Sequence, residues 1–426
     1  VIDAKLIRSE PDRVREALAR RGAGELVDAF LELDGERRRL QAAVEEARAA
    51  NNAAAKAIAE AKQQGEDTSI PIARQAQLKA EQATDEGALA EISERIRRLM
   101  LRMPNLPDPT AADGMSEDDS VTISTYGQKP DFGFEPKDHL ELAGPDGLGL
   151  IDIEAAAKVS GSRFHYLLGD LVRLELAMVQ WGMDKLTAKG FLPVVPPVLV
   201  REPAMEGTGM FPEAREQAYA VEQDDLFLVG TAEVPLASLH AGAILEEAQL
   251  PLRYVGFSPC FRREAGAAGK DTRGIFRVHQ FDKLEMFVFC LPDQSPDTHD
   301  QLLAIEEEIA QELGFHYQVQ NIPMGDLGAA AAKKYDIEVW LPGQQRYREL
   351  TSCSNTTDFQ SRRLDIRYRP ESGGPRHVHT LNGTAVTSSR TLLALIEYGQ
   401  QADGSVRTPE PLQAFGAPAE LAPRTI

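Results

Sequence analysis

Cysteine is scarce. Cys260, Cys290 and Cys353 are the only three in 426 residues, and their wide spacing indicates neither a disulfide framework nor a zinc knuckle, so no zinc is expected. No apolar run approaches the roughly 20 residues of a membrane helix. The opening Val1-Ile2-Asp3-Ala4-Lys5 shows no signal-peptide apolar segment, so a cytoplasmic protein with no membrane partner is expected. Positive charge is in deficit: 46 Lys and Arg against 66 Asp and Glu leave a net charge of −20. That balance excludes a protein that coats nucleic acid or anionic membrane with its whole surface, although a local basic groove remains compatible with it. Neither GxxxxGK[ST] nor GxGxxG occurs, which argues against a P-loop or Rossmann nucleotide cradle. With 42% apolar and 26% charged residues the chain is too apolar for wholesale disorder, and its length fits two or three folding units.

Aromatics are almost absent before residue 104, where Phe30 stands alone. The connector Pro104-Asn105-Leu106-Pro107-Asp108-Pro109 and the acidic Glu117-Asp118-Asp119 follow, and aromatic and β-branched residues return beyond about residue 130. Two domains are expected, residues 1–110 helical and residues 111–426 mixed. In the first, Phe30, Leu33, Arg37, Leu40, Val44, Ala47, Asn51, Ala54, Ile58 and Ala61 follow spacings of three and four, the seam of a coiled coil. The break at residues 63–69 with Pro71 ends that helix, and a second periodic stretch is clearest at Leu89, Ile92, Ile96 and Leu99. One break between two such helices predicts an antiparallel hairpin, thin at its tip because Ala54, Ala61, Gln75 and Gln82 are small or polar. From periodicity alone the commoner use is a dimerisation coiled coil.

In the second part, strands are expected at residues 253–264, 277–289, 315–320, 336–340, 347–355 and 377–386. Helices are expected at 170–189, 232–244, 301–313 and 390–400. Strands without regular βα alternation favour an α+β fold with an antiparallel sheet. Alternation places Tyr254, Ser258, Arg262 and Glu264 on one strand face, and Phe281, Lys283 and Glu285 on one face of the next. The loop 265–274 between them carries Lys270 and Arg273. Phe281 and Glu285 lie roughly 13 Å apart on an extended strand, room for a stacked base at one end and a small polar substrate at the other. The plain reading of Arg262 and Glu264 is an exposed cross-strand ion pair. Arg390 falls in the first turn of an apolar helix, where a cation opposes the helix dipole. There it either makes an anion site suited to triphosphate or simply reaches solvent. Thr231-Ala232-Glu233 is a further candidate segment, and an N-cap is the plain alternative for Thr231. Glu349 is a candidate Mg²⁺ ligand, and its joint use with Ser352 requires a bulge, because strict alternation puts the two on opposite faces.

Together these segments resemble the seryl-tRNA synthetases of the zinc-free bacterial type, a class II aminoacyl-tRNA synthetase family. The matching runs are Thr231-Ala232-Glu233-Val234-Pro235-Leu236, Phe261-Arg262-Arg263-Glu264-Ala265-Gly266, Arg277-Val278-His279-Gln280-Phe281 and Ser352-Cys353-Ser354-Asn355. The helix at 170–189 followed by residues 190–197, with Pro197, resembles the class II dimer motif. The resemblance implies an N-terminal antiparallel coiled-coil hairpin arm and an antiparallel class II sheet core flanked by helices. It implies that ATP and L-serine form seryl-adenylate, that the seryl group passes to tRNA-Ser (and tRNA-Sec where the host has one), and that the chain works as a homodimer. Arg262, Arg390 and Glu349 would be catalytic. Arg262, Arg263, Glu264, Val278, His279, Gln280, Phe281, Glu349, Leu350, Thr351, Ser352 and Arg390 would hold ATP. Thr231, Ala232, Glu233, Arg262, Glu285 and Thr384 would hold serine, and Glu349 and Ser352 would bind Mg²⁺. The family's arm grips the long variable arm of tRNA-Ser. Arg263 and Thr387-Ser388-Ser389 depart from the family pattern, and residues 411–426 match none. The alternative reading is a paralogue that activates a small amino acid for a non-tRNA acceptor or confers resistance to a serine analogue.

Overall fold

The computed structural model describes residues 1–266, 271 and 273–424, so Lys270 of the loop at 265–274 lies outside the described residues. Two compact units are present, one of residues 2–103 and one of Val1 with residues 104–426. No helix among the described residues is long and apolar enough to cross a membrane.

The first unit opens with α1 (Ala4–Ser9) and α2 (Pro11–Ala19), followed by α3 (Glu25–Gln64) and α4 (Ser69–Arg102). Arg48 pairs with Glu86 at 2.8 Å, and Asn51 donates to Gln82 at 2.5 Å. One number rises as the other falls, so the hairpin is antiparallel. Val44, Asn51 and Ile58 are buried one heptad apart, while Leu40, Ala47, Ala54 and Ala61 are only half-buried. The seam is therefore narrow. At 40 residues and about 1.5 Å per residue, α3 runs roughly 60 Å. Gly65 at φ 74° caps α3. Pro71 sits within the first turn of α4 rather than in the break, a position where its missing N–H leaves no helical bond unmade.

In the second unit, residues read as connector are anchored: Asn105 N donates to Ala329 O, and its side-chain amide donates to the Ala330 and Thr356 carbonyls. Eight strands form the main sheet: β1 (Val121–Tyr126), β2 (Leu192–Val194), β3 (Leu252–Phe261), β4 (Gln280–Cys290), β5 (Tyr317–Asn321), β6 (Lys333–Leu341), β7 (Arg346–Asn355) and β8 (His379–Thr387). Their order is β1-β5-β6-β7-β8-β4-β3-β2, antiparallel throughout except for β2 beside β3. The fold is α+β with an antiparallel core sheet.

Helices α5 (Asp170–Ala188), α6 (Glu202–Thr208), α7 (Glu233–Ser238), α8 (Ser295–Glu312) and α9 (Arg390–Gly399) surround it. Leu171, Leu174, Met178 and Trp181 of α5, Leu302 and Ile309 of α8 and Leu392 and Ile396 of α9 pack with Leu284, Met286, Val288, Ile337, Val339 and Leu381 of the sheet. That packing fixes one sheet face as core and leaves Phe281, Lys283 and Glu285, on the alternate positions of β4, to the other. Two helices depart from expectation. Helix α7 stops at Ser238 instead of running to 244, because residues 244–246 form a short strand parallel to Arg367–Arg369. Helix α8 begins at Ser295, earlier than 301, with Pro296 in its first turn.

Candidate active site

Strand β3 ends at Phe261, opposite Gln280, so Arg262 and Glu264 do not continue the strand face as alternation implied. Glu264 instead takes φ 50°, the left-handed region, which re-aims its side chain. Its carboxylate pairs with Arg277 at 2.7 Å. The ion pair of the plain reading thus exists with a different arginine. Arg262 Nε donates to Gly230 O at 3.1 Å, and its guanidinium carbon lies 5.2 Å from the centre of the Phe281 ring.

Arg390 is the first residue of α9, as its position in the apolar run predicted. Thr387 Oγ1 accepts from the backbone N–H groups of Arg390 (3.2 Å) and Thr391 (3.4 Å), satisfying two donors of the helix start. Arg390 Nη1 contacts Glu349 Oε1 at 2.8 Å. Enclosure by the cleft would raise the Glu349 carboxyl, but the nearby Arg390 and Lys334 hold it down at about 2. Arg390 and Arg348 lie over the Phe276 ring at 4.8 and 3.6 Å. The bulge that joint use of Glu349 and Ser352 required is present. Ile337 pairs with Thr351 and Glu338 with Glu349, so Leu350 is the extra residue on β7. Glu349, Leu350, Thr351 and Ser352 consequently line one cleft with Arg262, Glu264, Val278, Phe281, Thr384 and Arg390.

Beneath this cleft lies a polar network. Lys283 Nζ donates to Thr231 Oγ1 and Glu285 Oε1, each at 2.8 Å, and Thr231 Oγ1 donates to Glu285 Oε2 at 2.5 Å. The Glu233 N–H, at the start of α7, is shared between the same Glu285 oxygen at 3.0 Å and Thr231 Oγ1 at 3.3 Å, so Thr231 belongs to this network and also reaches the helix start, although Ala232 holds the N-cap position. The Glu233 carboxylate accepts from Gln360 at 2.6 Å; burial first, and the adjacent Glu285 second, push its carboxyl up to about 7. Glu285 is only 2% exposed, so Thr231 and Lys283 stand between it and the cleft. A further carboxyl, Glu306 of α8, lies on the core side of the sheet, accepts from Thr351 Oγ1 at 2.9 Å, and is held well above the usual range by burial.

Not every expected residue reaches the cleft. Arg263 is exposed and does not line it, and Gln280 is exposed at the start of β4. The His279 ring is occupied by Arg262 O at 2.8 Å. Ala232 is fully buried and packs where a β-carbon on Gly256 would come within 3.2 Å of its own. Conversely, sequence reasoning assigned no role to Lys283, Arg277 or Gln360. Lys283 carried a signal, being the middle residue of the Phe281–Glu285 face; Gln360 carried none, since it meets Glu233 across 127 positions. Among the described residues no cluster of three or more His, Cys, Asp or Glu could hold a metal ion. A cation here would take most of its ligands from its substrate. One carboxylate and one hydroxyl on the bulged strand, all hard oxygen donors, suit Mg²⁺ bound to phosphates.

Two segments match sequence families: residues 1–107 the seryl-tRNA synthetase N-terminal domain, and residues 219–398 the class II tRNA synthetase core domain (G, H, P, S and T). The serine–tRNA ligase of Nocardioides sp. is 47% identical over 429 residues, with both chains covered in full. The chain belongs to the seryl-tRNA synthetase family. Another member, the serine–tRNA ligase of Acidothermus cellulolyticus, is 48% identical over 428 residues, again covering both chains entirely. The crystal structure of Pyrococcus horikoshii seryl-tRNA synthetase complexed with ATP superposes with TM-score 0.92 at 41% identity and 100% coverage of both chains. The Naegleria fowleri cytoplasmic serine–tRNA ligase in complex with AMP gives 0.86 at 30% identity, covering 98% of this chain and 97% of its own.

Proposed function

We propose that the protein ligates L-serine to tRNA-Ser through a seryl-adenylate intermediate, in the cytoplasm and as a homodimer. The observation that carries this reading is the convergence of Arg262, Arg390, Glu349 and Phe281 on one cleft in a chain of this family. Residues 1–110 form the tRNA-binding part and residues 111–426 the catalytic part.

The cleft is suited to the first step by charge. A serine carboxylate oxygen attacks the α-phosphorus of ATP, forming a new P–O bond, and the bond to the β-phosphate bridging oxygen breaks with its electron pair, releasing pyrophosphate. Arg262, fixed by Gly230 O, and Arg390, fixed at the start of α9, present guanidinium groups to that phosphorus and to the phosphate tail, where negative charge grows in the transition state. Phe281 offers a face for the adenine, with Glu264 beside it. Glu349 and Ser352 would hold Mg²⁺, which when bound neutralises phosphate charge. Arg390 is bonded to Glu349, so nucleotide phosphates that take up the guanidinium exchange that contact for their own.

In this reading the carboxylates of Glu233 and Glu285 match serine's ammonium, and Thr384 and Glu285 its hydroxyl; because Glu285 lies behind Lys283 and Thr231, serine must exchange the contacts those two make with it. A pocket that hydrogen-bonds a hydroxyl leaves buried polar groups unpaired with alanine, which supports strong discrimination. In the second step the terminal ribose hydroxyl of the tRNA attacks the seryl carbonyl carbon. A new C–O ester bond forms, the anhydride C–O bond breaks, and AMP departs with the electron pair while the hydroxyl proton passes to its phosphate. No covalent enzyme intermediate is required.

A pyrophosphate-exchange panel with serine, alanine, glycine, threonine and cysteine tests this reading. Serine alone should support rapid exchange, and Arg262→Ala should reduce it at least about 100-fold. Unchanged exchange in that variant, or equal exchange with alanine, would refute it.

A further inference from the structure

Helix α9 carries charges that oppose its dipole at both ends. Arg390 is its first residue, and the buried Glu397 lies in its last turn, where a carboxylate faces the partial negative charge of the unpaired carbonyls. A helix selected for stability alone would reverse the two. Glu397 Oε1 meets the backbone N–H of His139 and the ring nitrogen Nδ1 of the same residue, each at 3.3 Å. Its Oε2 accepts from Gly343 N, in the turn between β6 and β7, at 2.9 Å. The other ring nitrogen of His139, Nε2, accepts from Ile275 N at 3.3 Å. A backbone amide only donates, so Nε2 is bare and the proton sits on Nδ1; one neutral tautomer satisfies both contacts. His139 is buried, and a β-carbon on Gly274 would fall 2.2 Å from its Nε2, so the chain passes against the ring with no room for a side chain.

We propose that His139 is a positioning residue for the nucleotide phosphates, an inference that rests on the ligase reading above. His139 does not line the cleft; it acts through pieces that do. The residue after Ile275 is Phe276, which lines the cleft and carries Arg348 and Arg390 over its ring at 3.6 and 4.8 Å. Ile275 is itself buried in the core, so a backbone bond there fixes where the Phe276 ring stands. Through Glu397 the same imidazole holds α9 at its far end, roughly 10 Å along the helix from Arg390. Through Gly343 that carboxylate also holds the turn from which β7 leads to Glu349. The ring beneath the Arg390 guanidinium and the helix that bears it are thus tied to one side chain. A pair of apolar residues in its place would anchor α9 with no carboxylate to desolvate. The histidine–glutamate pair supplies what such a contact lacks, a directed bond to the backbone beside Phe276.

His139→Phe keeps a ring in place and removes both side-chain bonds, whereas His139→Gln has a carbonyl to accept from Ile275 N and an amide to donate to Glu397. In pyrophosphate exchange, KM for ATP should rise about tenfold in the phenylalanine variant, the order of one cation–π contact loosened, while KM for serine stays within about twofold. The glutamine variant should return KM for ATP to within about threefold of the unaltered protein. An ordinary KM for ATP in His139→Phe, or a glutamine variant equally impaired, would overturn the proposal. Equal losses for ATP and serine would do the same, since a general loosening of the fold gives that pattern. Phe276→Leu removes the ring itself, and adding His139→Phe to it should cost no more than about twofold further. Losses that multiply would show two independent effects and refute the link. Should the phenylalanine variant not fold, the unaltered protein decides. Hydrogen exchange at the Ile275 amide should slow at least about tenfold when ATP binds, and exchange that ATP leaves unchanged would exclude the coupling. Calorimetric Kd values for ATP separate this role from the ligase reading. Absence of serine-dependent exchange in the unaltered protein would remove that reading, while a rise in Kd of about tenfold on His139→Phe would still support the positioning role.

Discussion

At the scale of single residues, the floor of the site holds more acid than base: Glu233 and Glu285 face one ammonium, that of Lys283. Burial and the neighbouring Glu285 leave Glu233 with a carboxyl near 7, so it carries a proton in a sizeable fraction of molecules at neutral pH. Because this folded value lies above the ordinary 4.5, any stability from the protonated form is greatest in acid and is lost as pH rises from about 4.5 to 7. Substrate binding runs the other way. A cationic amino group favours ionised Glu233, so KM for serine should fall several-fold between pH 6 and 8, and Glu233→Gln should flatten that profile. A profile that stays steep in the variant would place the titration elsewhere. Glu349 is different in kind, held ionised by Arg390 and Lys334 across the accessible range. Glu349→Gln should raise the Mg²⁺ concentration needed for half-maximal exchange about tenfold while leaving KM for serine within twofold. An unchanged Mg²⁺ requirement would remove Glu349 from the metal's ligands.

At the scale of elements, one extra residue decides whether Glu349 and Ser352 share a cleft. With Leu350 present, Glu349 and Ser352 line the same cleft; strict pleating would send them to opposite faces. Deleting Leu350 should therefore abolish exchange even where the melting temperature shows a folded protein, and retained exchange would show that the strand tolerates regular pleating. The start of α9 is a second such point. Thr387→Ala removes the acceptor for two helix-start N–H groups and should cost about 1 kcal/mol in unfolding free energy. The sequence made these elements readable to different degrees. Alternation in β4 exposed Phe281 and Glu285 as one face, and the apolar run of α9 located Arg390 at its beginning. The need for a bulge near residue 350 could be stated but not its position. Arg262 and Glu264 were misread as strand because only the backbone reveals that Glu264 turns left-handed. Gln360 and Glu306 were invisible: each acts through a partner on a distant segment, and no local period encodes such a meeting.

For the whole molecule, the arm and the sheet answer separate questions. Deleting residues 28–102 should leave serine-dependent exchange within about threefold, since the site lies wholly in residues 205–390, yet lower kcat/KM for tRNA-Ser by at least about 100-fold. Equal charging by the shortened protein would detach the arm from tRNA selection. Self-association has its own candidate surface. Leu176, Leu192, Val195 and Leu199 are between 42% and 80% exposed along α5 and the segment after it, where apolar side chains at such density call for a cover. For the proposed homodimer, Leu192→Asp together with Val195→Asp should leave a monomer in light scattering, and an unchanged dimer mass would place the contact elsewhere. The hairpin arm carries a last consequence in its seam. Bulky Phe30, Leu33, Leu40 and Val44 near the base give way mainly to alanine, asparagine and glutamine farther out, Ile58 excepted, so lateral grip between the two helices weakens with distance along the rod. Such a rod is stiff where it is rooted and compliant at its end. It can conform to partners that differ in curvature by bending locally, much as a tapered fishing pole yields at the tip while the handle stays still.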